Sequence, residues 1–335
     1  MAERDIKISR RTFNKLAFGS AAALGTLGAL EATQVAITEW SEQLRNKTPN
    51  YLSVIHDGSI RHGAAPDKNR ALDYIREVQI GHHYLLFFVD GDLQKDREIL
   101  EEIRKIQDLG IIPILSWGRK NASDKTLLAF AQELKTIPDP KYIRGYYEGN
   151  GKWTRGWYGH RSAEEYIEKW IKLYTFMRNF GIDSPFIFCP NTTEDIFGTE
   201  PIEKYYPGDA YVEVVALDAY LKWSKYLLDP EHWFYPNLVN SKKVLSHDLA
   251  VLQETAPGKE IFICEFNVTP KTDNRSGKLV GMMQEAAYAG AKAIISFDWN
   301  QWLKERIDWR LFKDPLVFQA YLNELAQPYY MQFTK

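Results

Sequence analysis

Cysteine is nearly absent from the chain. Two residues in 335 exclude a disulfide scaffold and a thiolate metal cluster alike. No charge surplus exists either: 42 Lys and Arg stand against 44 Asp and Glu, a net charge of −2. Nucleic-acid binding, which needs a clustered basic excess, is therefore not expected. The conspicuous apolar stretch, Leu16 to Leu30, has 15 residues, short of the roughly 20 that span a bilayer as a helix. No Gly-rich phosphate turn, Ser-His-Asp order, internal repeat or low-complexity tract stands out. The seven histidines show no metal-ligand spacing beyond one adjacent pair. Neither a metal nor a cofactor is expected. What the chain has in plenty is aromatic side chains, 14% of all residues, with 10 Trp among them. A large core explains that load, and so does a ligand such as a sugar, with apolar faces and hydroxyl edges on which rings stack.

The N-terminus reads as an address. Ser9-Arg10-Arg11-Thr12-Phe13-Asn14-Lys15 precedes the apolar stretch, and a twin arginine before a mildly hydrophobic segment resembles a twin-arginine export signal. Residues 1–36 are taken as that signal, which implies a periplasmic, cell-surface or extracellular protein. Leu30-Glu31-Ala32 is a poor small-residue cleavage site. Cleavage and retention as an N-terminal tether both stay open.

Residues 45–335 read as one alternating array. Apolar runs at Tyr51–Asp57, Tyr84–Asp90, Ile111–Trp117, Ile143–Glu148, Pro185–Asn191, Val212–Tyr220, Glu260–Asn267 and Ala293–Asn300 are the expected strands. Helical periodicity lies between them, as in Leu127–Leu134 and Tyr166–Phe180. Asp124 and Ser162 look like N-caps, and Gly110 and Gly181 like C-caps. Apolar strands alternating with helices predict a parallel sheet covered on its outer face, and eight such units fit a single (β/α)8 barrel. The rival is an open doubly wound sheet, which usually carries a Gly-rich turn after its first strand; Asp57-Gly58-Ser59 is not one. Between Asn191 and Val212 the connection is expected to be mostly loop.

In such a barrel the strands' C-terminal ends build the active site. Here they present Asp57, Asp90 with Asp92, Trp117, Glu148, Asn191, Asp218 with Tyr220, Glu265, and Asp298 with Trp299. Glu148 ends the fourth strand and Glu265 the seventh. Strand alternation aims Glu265 into the barrel mouth, opposite in sense to Cys264. Paired carboxylates across a cleft are what glycoside hydrolysis requires, although an ion pair with a loop cation explains either one alone. Arg144 shares a strand with Glu148 and, by parity, a face. Its expected role is mainly structural.

Several segments in order resemble glycoside hydrolase family 26, whose best-known members are endo-β-1,4-mannanases. Glu148-Gly-Asn-Gly-Lys-Trp153 is similar to the family's acid/base segment His-Glu-Met-Asn-Gly-x-Trp. Phe188-Cys-Pro-Asn191, Tyr205–Glu213, Leu217-Asp-Ala-Tyr220, Glu260–Phe266, Phe297-Asp-Trp-Asn300 and Asp308-Trp-Arg310 resemble further family segments. The resemblance covers about Tyr84 to Tyr321.

The resemblance implies a retaining barrel hydrolase acting on a polysaccharide. Glu148 would be the general acid/base, held protonated before attack, and Glu265 the ionised nucleophile, about 5–5.5 Å away. Tyr220 would steady Glu265, while Trp117, Tyr147, Trp153 and Trp299 would line the sugar site; for Trp117, core packing is an equal rival. Tyr147 stands where the family has His, Gly149 where it has Met, and Cys189 where it often has Trp. These departures keep mixed-linkage β-glucan and β-1,3-xylan open beside mannan. A non-catalytic polysaccharide-binding barrel is the rival of another class. A monomer is expected.

Overall fold

The computed structural model describes residues 60–66, 70–89, 93–120, 122–192, 198–221, 241–270, 272–300 and 308–331. These all belong to the contact unit Val54–Lys335. Eight strands are described: β1 (Arg61–Pro66), β2 (Tyr84–Val89), β3 (Ile112–Trp117), β4 (Tyr142–Gly145), β5 (Ile187–Phe188), β6 (Val214–Leu221), β7 (Glu260–Val268) and β8 (Ala293–Asp298). They form one parallel sheet in the order β4-β3-β2-β1-β8-β7-β6-β5. The parallel bridge Ile143–Phe186 joins β4 to the start of β5, so the sheet closes into a (β/α)8 barrel.

Helices α1 (Ala71–Val78), α2 (Leu93–Gln107), α3 (Asp124–Lys135), α4 (Thr154–Tyr158), α5 (Ala163–Asn179), α6 (Ser241–Thr255), α7 (Arg275–Tyr288) and α8 (Pro315–Leu325) connect and follow the strands. Ser162 caps α5 as expected, accepting from the Glu165 amide. The cap of α3 is Ser123 rather than Asp124, which begins the helix. Gly110 and Gly181 take the left-handed conformation that ends a helix. Within the described part of the Asn191–Val212 connection there are only two 3-10 turns, Ile202–Lys204 and Asp209–Tyr211.

The first strand differs from expectation. Tyr51–Asp57 lies outside the described residues, and the barrel's first described strand is Arg61–Pro66, paired with β2 and β8. Its centre is Gly63-Ala64-Ala65, and small residues give no apolar run to read. The reason for Gly63 is close packing, because a Cβ there would lie 2.5 Å from the Tyr84 carbonyl oxygen.

Alternate side chains fill two layers. Leu85, Phe87, Leu115, Ile143 and Leu217 face the helices, whereas Tyr84, Leu86, Ile114, Ile187, Ala216, Phe262 and Ile295 fill the barrel interior. Toward the C-terminal ends the interior turns polar, at Ser116, Arg144, Asp218 and Glu265, all buried.

Candidate active site

The polar layer is built around Arg144, fully buried on β4. Its Nη1 donates to both Asp218 oxygens at 2.8 and 3.0 Å, and its Nε donates to Ser116 Oγ at 2.8 Å. Its Nη2 donates to Glu265 Oε1. Burial opposes the charge on this guanidinium, but Asp218 and Glu265 outweigh it and hold Arg144 firmly protonated. Burial pushes the Asp218 carboxyl well up; Arg144 pulls the other way, and Glu265 and Glu148 add to the rise. Asp218 thus lies within the field of both glutamates. The role expected of Arg144 was structural, and its direct bond to Glu265 makes it part of the site.

Glu265 reaches this cation through a fault in strand pairing. Along β6, Leu217 pairs with Ile263 but Asp218 pairs with Glu265. Along β8, Ile294 pairs with Ile263 and Ser296 with Phe266. On both sides β7 carries one residue too many, a β-bulge at Cys264 and Glu265. Cys264 packs in the interior cluster and Phe266 in the outer one, so Cys264 and Glu265 both face inward. This corrects the expectation that alternation sets them on opposite faces. Tyr220 Oη donates to the second oxygen, Oε2 of Glu265. Burial and the Glu265 charge raise the Tyr220 hydroxyl well above its ordinary range and keep it a donor.

Glu148 arrives differently again. Strand β4 stops at Gly145, and Tyr146 and Glu148 both take positive φ, 40° and 55°. For non-glycine residues such backbone is strained and is characteristic of functional sites. Parity with Arg144 therefore does not place Glu148; a turn does. That turn is pinned by the Glu148 amide, 2.7 Å from the Cys189 carbonyl. Asn191 Nδ2 donates to Glu148 Oε1 at 2.5 Å, and Trp153 Nε1 donates to Oε2 at 3.1 Å. His160, buried behind the turn, places Nε2 3.1 Å from the Gly149 carbonyl. A carbonyl can only accept, so Nε2 carries the proton. Burial lowers this imidazole's pKa and keeps the ring neutral.

Aromatic rings form the surround. Tyr147 covers Arg144, with the guanidinium carbon 4.3 Å from the ring centroid. Phe88 meets Tyr147 and Trp299 edge-on, and Trp299 stacks on Phe297. The structure thus gathers Glu148, Tyr147, Trp153, Tyr220, Glu265 and Trp299. It does not bring Trp117 there: its ring is fully buried on the outer face of β3, stacked on Phe130 with centroids 5.0 Å apart. Ser116, one residue earlier, takes the inward position. Asp298 also faces away, accepting from Tyr74 Oη and the Leu311 amide. Asp57, Asp90 and Asp92 lie outside the described residues.

Sequence reasoning counted Asn191 among the polar strand ends without giving it a role, and it missed Phe88 as a side chain of this site. Asn191 was visible as a polar residue after an apolar run, whereas Phe88 within Tyr84–Val89 carries no sign distinguishing it from core. Among the described residues no three His, Cys, Asp or Glu side chains come together to hold a metal ion.

Residues 120–262 match the model of glycosyl hydrolase family 26, a stretch that holds Glu148, Asn191 and Asp218 and ends short of Glu265. Mannan endo-1,4-beta-mannosidase of Bacillus subtilis (strain 168) is 31% identical over 132 residues, covering 36% of this chain and 34% of that protein. The match thus spans about a third of that relative's length. Two solved structures share the fold. GH26C from Muricauda sp. MAR_2010_75 has a TM-score of 0.62 at 13% identity, covering 84% of this chain and 88% of that one. The catalytic domain of Bacillus sp. JAMB-750 GH26 endo-beta-1,4-mannanase has a TM-score of 0.61 at 15% identity, covering 84% and 90%. The central stretch of the chain is thus similar in sequence to glycosyl hydrolase family 26, and its barrel is the fold of these two solved structures.

Proposed function

We propose that this protein is a retaining endo-β-glycanase that cleaves β-1,4-mannan, with Glu265 as nucleophile and Glu148 as general acid/base. The observation that carries this reading is the unlike support of the two carboxyl groups. Glu265 is gripped by a buried guanidinium and a phenol, whereas Asn191 and Trp153 offer Glu148 neutral donors. The guanidinium and the phenol each hold one Glu265 oxygen, which fixes the carboxyl group's orientation for attack. Glu265 attacks the anomeric carbon as the bond to the leaving oxygen breaks, and Glu148 gives that oxygen its proton. The glycosyl ester is neutral, so Arg144 then balances Asp218 alone. Glu148, now ionised, takes a proton from water, whose oxygen displaces Glu265 and restores both groups.

Mannan is the favoured substrate because the curated relative is named a mannan endo-1,4-beta-mannosidase and one of the fold matches an endo-beta-1,4-mannanase. Tyr147 over Arg144, in place of a histidine, favours testing mixed-linkage β-glucan and β-1,3-xylan beside it. Release of reducing ends from galactomannan, lichenan and β-1,3-xylan is the assay. Activity on one of them, lost in Glu148→Gln and in Glu265→Gln with the fold retained, is the expected result. Full activity in either variant removes the assignment, and inactivity on all three favours a binding barrel. We also propose export through the Ser9–Lys15 motif; replacing Arg10 and Arg11 by Lys should leave the protein inside the cell.

A further inference from the structure

We infer that Asn150 is the positioning residue that aims Glu148 for proton transfer, acting through Asn191. The inference rests on the acid/base reading of Glu148 and extends it to a residue that touches neither sugar nor carboxylate.

Asn150 is fully buried, and its amide is bonded on every side. Oδ1 accepts the Asn191 amide at 2.8 Å, while Nδ2 donates to the Asn191 carbonyl at 2.9 Å and to the Glu200 carbonyl at 3.1 Å. Its own carbonyl accepts the Glu200 amide at 2.9 Å. Asn191 is therefore held through both of its backbone groups by one side chain, and its own side chain is the donor to Glu148 Oε1. Asn191 is also bridged to Asp218 on β6. The Glu148 carboxyl is thereby referenced to the β5–β6 side of the barrel, although its backbone sits in a left-handed turn after β4.

The chemistry demands asparagine. One group must accept a hydrogen bond and donate two within one plane. Aspartate keeps the shape and the acceptor, but points an oxygen at two carbonyls where the NH2 was. General acid catalysis depends on the angle and distance of the proton donor. A loosened Asn191 should cost proton transfer while leaving attack by Glu265 intact.

The test compares kcat/KM on an unmodified oligosaccharide of the cleaved glycan with that on its dinitrophenyl glycoside, whose leaving group needs no proton. Asn150→Asp should lose about 10- to 100-fold on the first and less than about threefold on the second. Asn191→Ala should show the same selectivity, and adding Asn150→Asp to it should bring no further loss. Asn150→Asp keeps the side-chain shape, and its Tm checks that it folds. Should it not fold, Asn150→Ser and Asn191→Ala take its place in the comparison. Glu148→Gln runs in the same series. Equal losses on both substrates, or none, with Glu148→Gln still selective, would overturn the role of Asn150 alone. Equal losses in Glu148→Gln as well would overturn the acid/base reading beneath it.

Discussion

Acidification should destabilise the fold through a cluster remote from the glutamates. His62 on β1 meets the rings of His82 and His83 at centroid distances of 5.6 and 5.2 Å, and His82 packs on Tyr74 at 5.4 Å. Nδ1 of His62 and both ring nitrogens of His82 have no hydrogen-bond partner among the described residues. Burial, and after it the Arg61 charge, lowers the His83 pKa. Burial, helped by His83, lowers the His62 pKa from 6.5 to about 3. Burial depresses His82 in the same direction. Between these values the unfolded chain binds the extra proton, so stability is complete above pH 6.5 and falls as pH drops toward 3. Going from about pH 7 to about pH 5, His62 alone should remove about 2 kcal/mol, at roughly 1.4 kcal/mol per pH unit below 6.5. Urea unfolding of the parent and of His62→Asn at both pH values measures this. The parent should lose about 2 kcal/mol more than the variant between them. Parallel losses in the two proteins would refute the reasoning.

Arg144→Met should destabilise the protein by about 3–5 kcal/mol and abolish activity, since it leaves Asp218 and Glu265 buried without their shared cation; a variant as stable as the parent by urea unfolding would contradict this. Trp117→Ala should cost about 3–5 kcal/mol through the cavity left against Phe130 while KM stays unchanged. A raised KM at normal stability would restore Trp117 as a sugar platform. Gly149→Ala puts a methyl carbon 2.0 Å from a Tyr166 ring carbon, so it should lower both Tm and kcat by displacing the turn that carries Glu148. Parental values for both would show that the turn accommodates a side chain.

Much of the barrel was legible because parallel strands buried on both faces spell continuous apolar runs. Tyr84–Val89 and Ala293–Asp298 are such strands, and periodic helices separate them. Where side chains must be small, the signal vanishes. Gly63-Ala64-Ala65 carries no hydrophobic run, yet it pairs with two strands because its lack of bulk lets the Tyr84 backbone approach. Trp117 shows the opposite failure. A large aromatic at a strand end looks like a ligand platform, and only the register, with Ser116 opposite Arg144, shows that its neighbour takes the inward place.

At the site, residue type was legible and geometry was not. Alternation presumes a regular pleat, but each glutamate reaches the mouth by leaving it: Glu265 through one extra residue in β7, Glu148 through left-handed backbone beyond the end of β4. A bulge adds no hydrophobic mark to the sequence, and left-handed conformation at Tyr146 and Glu148 contradicts local preference. Both departures cost stability that the surrounding contacts must offset. For Glu265 the offset is the Arg144–Asp218 pair and Tyr220; for Glu148 it is the Cys189 carbonyl, Asn191 and Trp153. The side chains that a reading by alternation undervalues, Arg144, Asp218 and Asn191, are therefore those that hold the two irregular glutamates where regular strands would not put them.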